Sequence, residues 1–420
     1  KEGRKEGRNC ELFPRLVGCP QASDKSLFHS LSLGFFTMFK KSLVAVAVLG
    51  AVAFSAQAAD VQLYGRIDTG VRYTNIDADV ANQDDVSKFE MSSGNSTGNR
   101  FGLKATEDLG NGMKVGFVLE NGFNSDDGAL KTTNKLFDRE ANLFVTSDFG
   151  TLSAGRVGIL NGTAGSYAIG NFNPFGTGWG DVGNQSLLWG AGFDSRYDNM
   201  LTYVTPDFAG FKVYAQYSFG ENGHENKSST NRYAALGATY TVGGLNVIGI
   251  VDTINKKSYD STTKTTSDVD DTYRVTVGGS YDFGMIKPFV AVGYFKDGKI
   301  GDLLGTWAAE ANHKANLDRY YDGYGLTLGA SMPAFAGTAH AMVGYMDAEY
   351  ASEANGTVTS GRQIDVTRFV LGAGYEYPLS KRTLVYADLG YFKDEVDAAN
   401  DKFDYKPEAY QAAVGLVHKF

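Results

Sequence analysis

Residues that make and break bonds are present in this chain, but not in patterns that would let them work. The five histidines show no ligand spacing, and no Gly-Lys-Ser/Thr loop exists to cradle a phosphate. Serines and aspartates are plentiful, yet no histidine is placed with either by motif. Both cysteines, Cys10 and Cys19, lie near the start. The patterned residues are charged. Arg66 shares strand parity with Tyr64, Asp68 and Arg72, opposite Leu63, Ile67 and Val71. Arg100 shares it with Gly102, Lys104 and Thr106, opposite Phe101, Leu103 and Ala105. Glu120 falls on one face with Lys114. Charges fixed on one wall act through their field on ions and dipoles; they form no covalent intermediate.

The elements that carry these charges are strands. The chain has 420 residues, 13% of them aromatic, with 52 glycines and only 8 prolines. Glycine stands well above its usual ~7%, without a collagen period, which favours many short strands and tight turns over long helices. From residue 59 onward, segments of roughly ten residues alternate apolar with polar. Strands are predicted near 60–76, 97–106, 112–124, 136–147, 150–156, 193–205, 210–220, 231–242, 244–254, 271–283, 285–297, 320–332, 337–350, 363–377, 382–394 and 408–420, sixteen in all. Segment 136–147 alternates poorly and suggests a bulge. Short connections take turns with long polar ones at 77–96, 125–135, 157–192, 221–230, 255–270, 298–319, 351–362 and 395–407.

The first 58 residues read as a separate region. Phe39-Lys40-Lys41, the apolar run Leu43 to Phe54 and Ala56-Gln57-Ala58 are the three parts of a secretory signal peptide over 38–58, with cleavage before Ala59. Residues 1–37 then read as upstream sequence or a disordered extension. Removing residues 1–58, with 8 Lys and Arg against 4 Asp and Glu, moves the net charge from −9 to −13 and leaves no cysteine. Disulfides, thiol nucleophiles and thiolate metal sites are thereby excluded. So strong an acidic balance also argues against nucleic acid as a partner.

No stretch of 18 apolar residues exists to form a membrane helix, but alternating strands can span a bilayer when the sheet closes on itself. Even strand number, with tight turns at one end and long loops at the other, predicts an all-β transmembrane antiparallel barrel of 16 strands over residues 59–420. Tyr73, Tyr281, Tyr350 and Tyr377 at strand ends suit an interfacial girdle. Such a barrel is too wide for side chains to fill. The longest connection, 157–192, is rich in Gly, Asn and aromatics and poor in charge, so it is expected to fold into the lumen.

Asp60-Val-Gln-Leu-Tyr-Gly-Arg-Ile-Asp68, Asn99-Arg-Phe-Gly-Leu-Lys-Ala-Thr-Glu-Asp-Leu-Gly-Asn-Gly112 and Val118-Leu-Glu-Asn-Gly-Phe123 resemble the opening strands of Gram-negative general diffusion porins. Leu136-Phe-Asp-Arg-Glu-Ala141 with Asp148-Phe-Gly-Thr-Leu-Ser-Ala-Gly-Arg156 resembles the strand pair entering their third loop. Asp198-Asn-Met-Leu-Thr-Tyr203 with Thr205-Pro-Asp-Phe-Ala-Gly-Phe211 resembles the pair leaving it. The terminal Phe420 is similar to that family's assembly signal. The resemblance implies a homotrimer in the outer membrane, in contact with its lipids and lipopolysaccharide and built by the barrel-assembly machinery. It implies pores that pass small hydrophilic solutes with no cofactor.

It also implies roles. Arg66, Arg100 and Arg139 match the basic wall of the constriction, and Arg196 resembles a further wall cation. Phe172, Phe175 and Trp179 are loop aromatics. The inward loop departs from the family pattern, because Asn173-Pro174-Phe175-Gly176 lacks the usual Glu and Asp181 is the sole acid within 157–192. Glu120 is the acid the wall could add. A weaker transverse field is therefore expected, with a leaning toward anions at the narrowest point, opposed at the mouths by Asp126-Asp127 and Asp268–Asp271. Two other readings stay open: a substrate-selective channel, which needs a greasy aromatic track, and a soluble exported all-β binding protein.

Overall fold

Along Thr272–Tyr281, Tyr273, Val275, Val277 and Tyr281 are exposed, whereas Thr272, Arg274, Thr276 and Ser280 are buried. The same inversion runs through Val290, Val292 and Tyr294, and through Phe369 and Leu371. Apolar side chains outward and polar ones inward is stable only where hydrocarbon bathes the outer face. The computed structural model describes residues 60–77, 79, 84–175, 188, 190, 195–219, 232–256, 259–260, 265–266, 270–301, 320–351, 364–398, 404 and 406–420. The signal peptide expected at 38–58 and the segment 1–37 lie outside the described residues.

The strands are β1 (Gln62–Asp77), β2 (Val86–Ser93), β3 (Arg100–Gly110), β4 (Met113–Gly122), β5 (Glu140–Ser147), β6 (Gly150–Gly158), β7 (Arg196–Val204), β8 (Phe211–Ser218), β9 (Tyr233–Val242), β10 (Leu245–Ile254), β11 (Thr272–Tyr281), β12 (Lys287–Gly298), β13 (Tyr321–Ala334), β14 (Gly337–Tyr350), β15 (Ile364–Pro378), β16 (Thr383–Ala398) and β17 (Glu408–Lys419). Among the described residues they form one antiparallel sheet closed into a barrel of sixteen staves, because β2 and β3 share the second stave. β2 pairs with Thr69–Ile76 of β1, and β3 with Gln62–Arg66. Closure comes from β17, which runs along β1 from Arg66↔Lys419 to Asp77↔Glu408. Beyond it Phe420 and Gly65 exchange both backbone hydrogen bonds, at 3.1 Å each. The Phe420 ring covers the face of Gly65 where a Cβ would stand.

Two expectations need correction. The link read as 77–96 contains β2, whose Phe89 and Met91 point outward while Ser92 is buried. Segment 136–147 becomes a strand only at Glu140; residues before it make a turn-rich approach. The tight end matches expectation. Gly243-Gly244 joins β9 to β10, and Phe335 and Ala336, both with positive φ (46° and 63°), join β13 to β14. Positive φ at both central positions is what the right-handed twist of a two-residue hairpin demands.

Candidate functional site

Parity brings Arg66 and Arg100 together on the lumenal face, and Arg139 and Arg196 join them from the entry to β5 and the start of β7. Arg66 on β1 and Arg100 on β3 stand opposite each other in register, Gly102 of β3 faces Glu120 of β4, and Arg139 leads directly into β5. Arg196 opens β7. Arg139 Nε donates to Glu120 Oε1 at 2.6 Å, and Arg100 Nη1 lies 3.9 Å from the same oxygen. Tyr64 donates its hydroxyl to Glu120 Oε2 at 3.0 Å. Arg66 Nη1 donates to Thr97 Oγ1 at 2.9 Å, and Arg100 Nε to the Gly98 carbonyl at 3.0 Å. Arg196 Nη1 reaches Ser195 Oγ at 3.1 Å, while its buried Nε has no hydrogen-bond partner among the described residues. Arg100 feels the fields of Arg66, Arg139, Arg196 and Glu120 together. Glu120 thus takes Arg139 and Arg100 at ion-pair distance, and its field reaches Arg66 and Arg196, which also feel Asp68 and Asp138 respectively. At an effective dielectric near 20, opposite charges interact by about 4 kcal/mol at 4 Å.

The described part of the third long connection lies inside the barrel and presses on the wall opposite these arginines. Its root is fixed by Gln216, whose Oε1 accepts from Leu160 N and whose Nε2 donates to the Gly158 carbonyl, both at 2.9 Å. Ser166 donates from its backbone and hydroxyl to Glu140. Burial raises the Tyr167 phenol above its ordinary range, and the charge of Glu140 adds to the rise. Further along, the Phe172 ring rests on Gly278 of β11, Pro174 on Gly329 of β13, and Phe175 on Gly372 of β15; Leu188 rests on Gly344 of β14. Each glycine leaves room that a Cβ would fill. Phe172 and Phe175 are 4% and 3% exposed and join Leu160, Ile248, Met342, Met346 and Val370 in one apolar cluster. A fully buried phenylalanine of this kind contributes about 1.5–3 kcal/mol. Trp179 and Asp181 lie outside the described residues.

Two arginines escaped the sequence reading. Arg274, fully buried, makes paired bonds to Asp252 at 2.7 and 2.8 Å, and Tyr233 donates to that carboxylate at 3.1 Å. Arg368 makes paired bonds to Asp394 at 2.9 Å and donates to the carbonyls of Ile300 and Gly301. Both neutralise their charge against a carboxylate on a neighbouring stave, so they belong to the packed side of the lumen. Their signal was an arginine inside an otherwise apolar alternation; the Asp partners become visible only once strand register is known.

A closed barrel with an apolar exterior, a charged inner wall and an inward connection defines a membrane-spanning channel protein. A family model described as Gram-negative porin matches residues 45–397. The chain is 34% identical over 407 residues to an outer membrane porin protein of Bordetella pertussis, covering 91% of this chain and all of that one. It is 29% identical over 363 residues to outer membrane porin protein 32 of Delftia acidovorans, covering 85% and 90%. Among solved structures, the anion-selective porin from Comamonas acidovorans superposes with a TM-score of 0.60 at 24% identity, covering 86% of this chain and 100% of that one. This chain belongs to the Gram-negative porin family. It is an outer-membrane diffusion channel, not an enzyme and not a soluble binding protein.

Proposed function

We propose that Arg66, Arg100, Arg139 and Arg196, with Glu120, form the basic wall of the constriction, and that the connection after β6 supplies the facing wall. Small hydrophilic solutes and ions then pass down their gradients through a gap bounded by the arginines, with anions favoured at the narrowest point. The observation that supports this reading is the close grouping of Arg66, Arg100, Arg139 and Arg196, each within the field of others, with Glu120 paired to Arg139 and Arg100. The anion-selective porin of Comamonas acidovorans, similar in fold, supports the same direction. Phe172 and Phe175 are packed into the wall, so they are not free to form the greasy track that a substrate-selective channel needs. Trp179 and Asp181, on the same connection, are proposed as its aromatic and acidic contributions. The working unit is proposed as a homotrimer in outer-membrane lipid and lipopolysaccharide. Phe420 is proposed as the residue read by the assembly machinery, and 38–58 as the cleaved leader.

The test is a reversal potential in a salt gradient. Arg66→Ala with Arg100→Ala should move it toward the cation value; an unchanged potential would remove both residues from the constriction.

A further inference from the structure

The second stave is broken, and the break has a built interior. Between β2 and β3, residues Gly94 to Asn99 leave the sheet and turn into the lumen, with Asn95, Ser96, Thr97 and Asn99 all buried. β1 loses its neighbour at Ile67 and Asp68, where neither β2 nor β3 pairs with it. Backbone groups left bare there must find other partners. The turn supplies them: Gly94 N donates to the Asp68 carbonyl at 3.0 Å, and Asn99 Oδ1 accepts from Asp68 N at 2.5 Å.

The Asp68 carboxylate then fixes the turn. Its Oδ2 accepts from the backbone of Ser96 and Thr97 at 2.8 and 2.7 Å, and its Oδ1 from the Tyr386 hydroxyl at 2.9 Å. Across the lumen wall, Asn95 Nδ2 donates to Asp388 Oδ2 at 2.7 Å. Charge-assisted bonds of this kind are short and about twice as strong as neutral ones. So held, the turn presents two acceptors to the arginines. Thr97 Oγ1 takes Arg66 Nη1 at 2.9 Å and Arg100 Nη2 at 3.3 Å, and the Gly98 carbonyl takes Arg100 Nε at 3.0 Å. A Cβ on Gly98 would stand 3.3 Å from Arg139 Nη1 and 3.9 Å from Arg100 Nη2, so the turn also backs the third guanidinium.

We propose that the Gly94–Asn99 turn is a selectivity element, in which Thr97 is the positioning residue that holds Arg66 apart from Glu120 and keeps Arg100 no closer to it than 3.9 Å. The inference rests on the basic-wall reading above. Without the Thr97 hydroxyl, Arg66 loses its neutral acceptor and swings to Glu120, the nearby carboxylate that already holds Arg139. Its charge is then spent within the wall and the lumen favours anions less.

The experiment uses the full-length channel purified from outer membranes, in planar bilayers under a potassium chloride gradient. Thr97→Val should lower the chloride-to-potassium permeability ratio about twofold, with conductance and heat-resistant barrel mobility retained, and Thr97→Ser should restore the parent ratio. Thr97→Ala gives the same reading should valine not be accommodated. A Thr97→Val ratio equal to the parent, alongside a shifted Arg66→Ala/Arg100→Ala ratio, overturns the positioning role alone. If neither variant moves the ratio, the basic-wall reading falls with it.

Discussion

A guanidinium in this barrel has two fates, set by how many carboxylates its neighbours offer. Arg274 and Arg368 each meet an aspartate of their own and vanish into packing; in the cluster of Arg66, Arg100, Arg139 and Arg196, Glu120 pairs only with Arg139 and Arg100, so guanidiniums outnumber it. Parity made Arg66 and Arg100 legible in the sequence, since charge on the lipid face costs about 2–4 kcal/mol at midplane. Arg139 and Arg196 were legible only by motif, because they sit where regular alternation stops. Thr97 and Asp68 were not legible as partners, because Met91–Ser96 fell in the link read as 77–96 and Thr97 at the start of the strand read as 97–106, which begins at Arg100. A separate consequence arises at the rim. Lys256 lies half-buried in the link after β10, with Nζ 3.4 Å from the Tyr320 ring centre and donating to the Asp297 carbonyl at 2.9 Å. Burial pulls its ammonium down to about 8, although Asp297, Asp271 and Asp270 pull the other way. A lowered pKa means more free amine, so about half of Lys256 is uncharged at pH 8, against roughly 0.4% of an ordinary lysine. Brief treatment with a dilute amine-specific reagent at pH 8, read by peptide mass spectrometry, should label Lys256 ahead of the exposed Lys114. Equal labelling of the two would contradict the burial argument.

At the scale of elements, strand boundaries followed the alternation within a few residues because each strand has one face in hydrocarbon and one in the lumen. What the alternation could not reveal was pairing. β2 carries a readable period, Phe89 and Met91 outward against Glu90 and Ser92, yet it looked like part of a connection because its pairing with Thr69–Ile76 of β1 shows only in the register. The seat of the inward connection was equally hidden. Gly278, Gly329, Gly344 and Gly372 are spread over nearly a hundred residues and form one track only when the five staves β11 to β15 are side by side. The track makes a definite claim about anchoring. In Gly372→Val the new side chain occupies the place of the Phe175 ring, whose position lies 2.9 Å from an added Cβ. The variant should keep its heat-resistant barrel but lose a burial contribution of about 1.5–3 kcal/mol from the connection. Single-channel traces should then flicker among sublevels where the parent is quiet. A variant as quiet as the parent would show that the ring's seat does not hold the connection in place.

At the largest scale, the described residues close into one barrel whose lumenal lining differs from side to side. One side of its lumen is packed by Ile248, Phe295, Met346, Val366, Phe392 and the seated connection; the other carries the arginines and Glu120. Fold class and stave number were legible because a bilayer leaves few alternatives to a closed sheet. The uneven lining was not, since it depends on which lumenal faces are apolar across staves far apart in sequence. Beyond residue 58 the net charge is −13, so the anion preference proposed here must come from the local arginine cluster and not from the bulk charge. Single-channel recording of the unaltered protein in planar bilayers tests this directly. Stepwise openings are expected, with conductance rising in proportion to bulk salt and a reversal potential of anion sign. A protein that inserts as a folded barrel and never conducts, or conducts with cation sign at every salt concentration, would contradict a water-filled passage lined by Arg66, Arg100, Arg139 and Arg196.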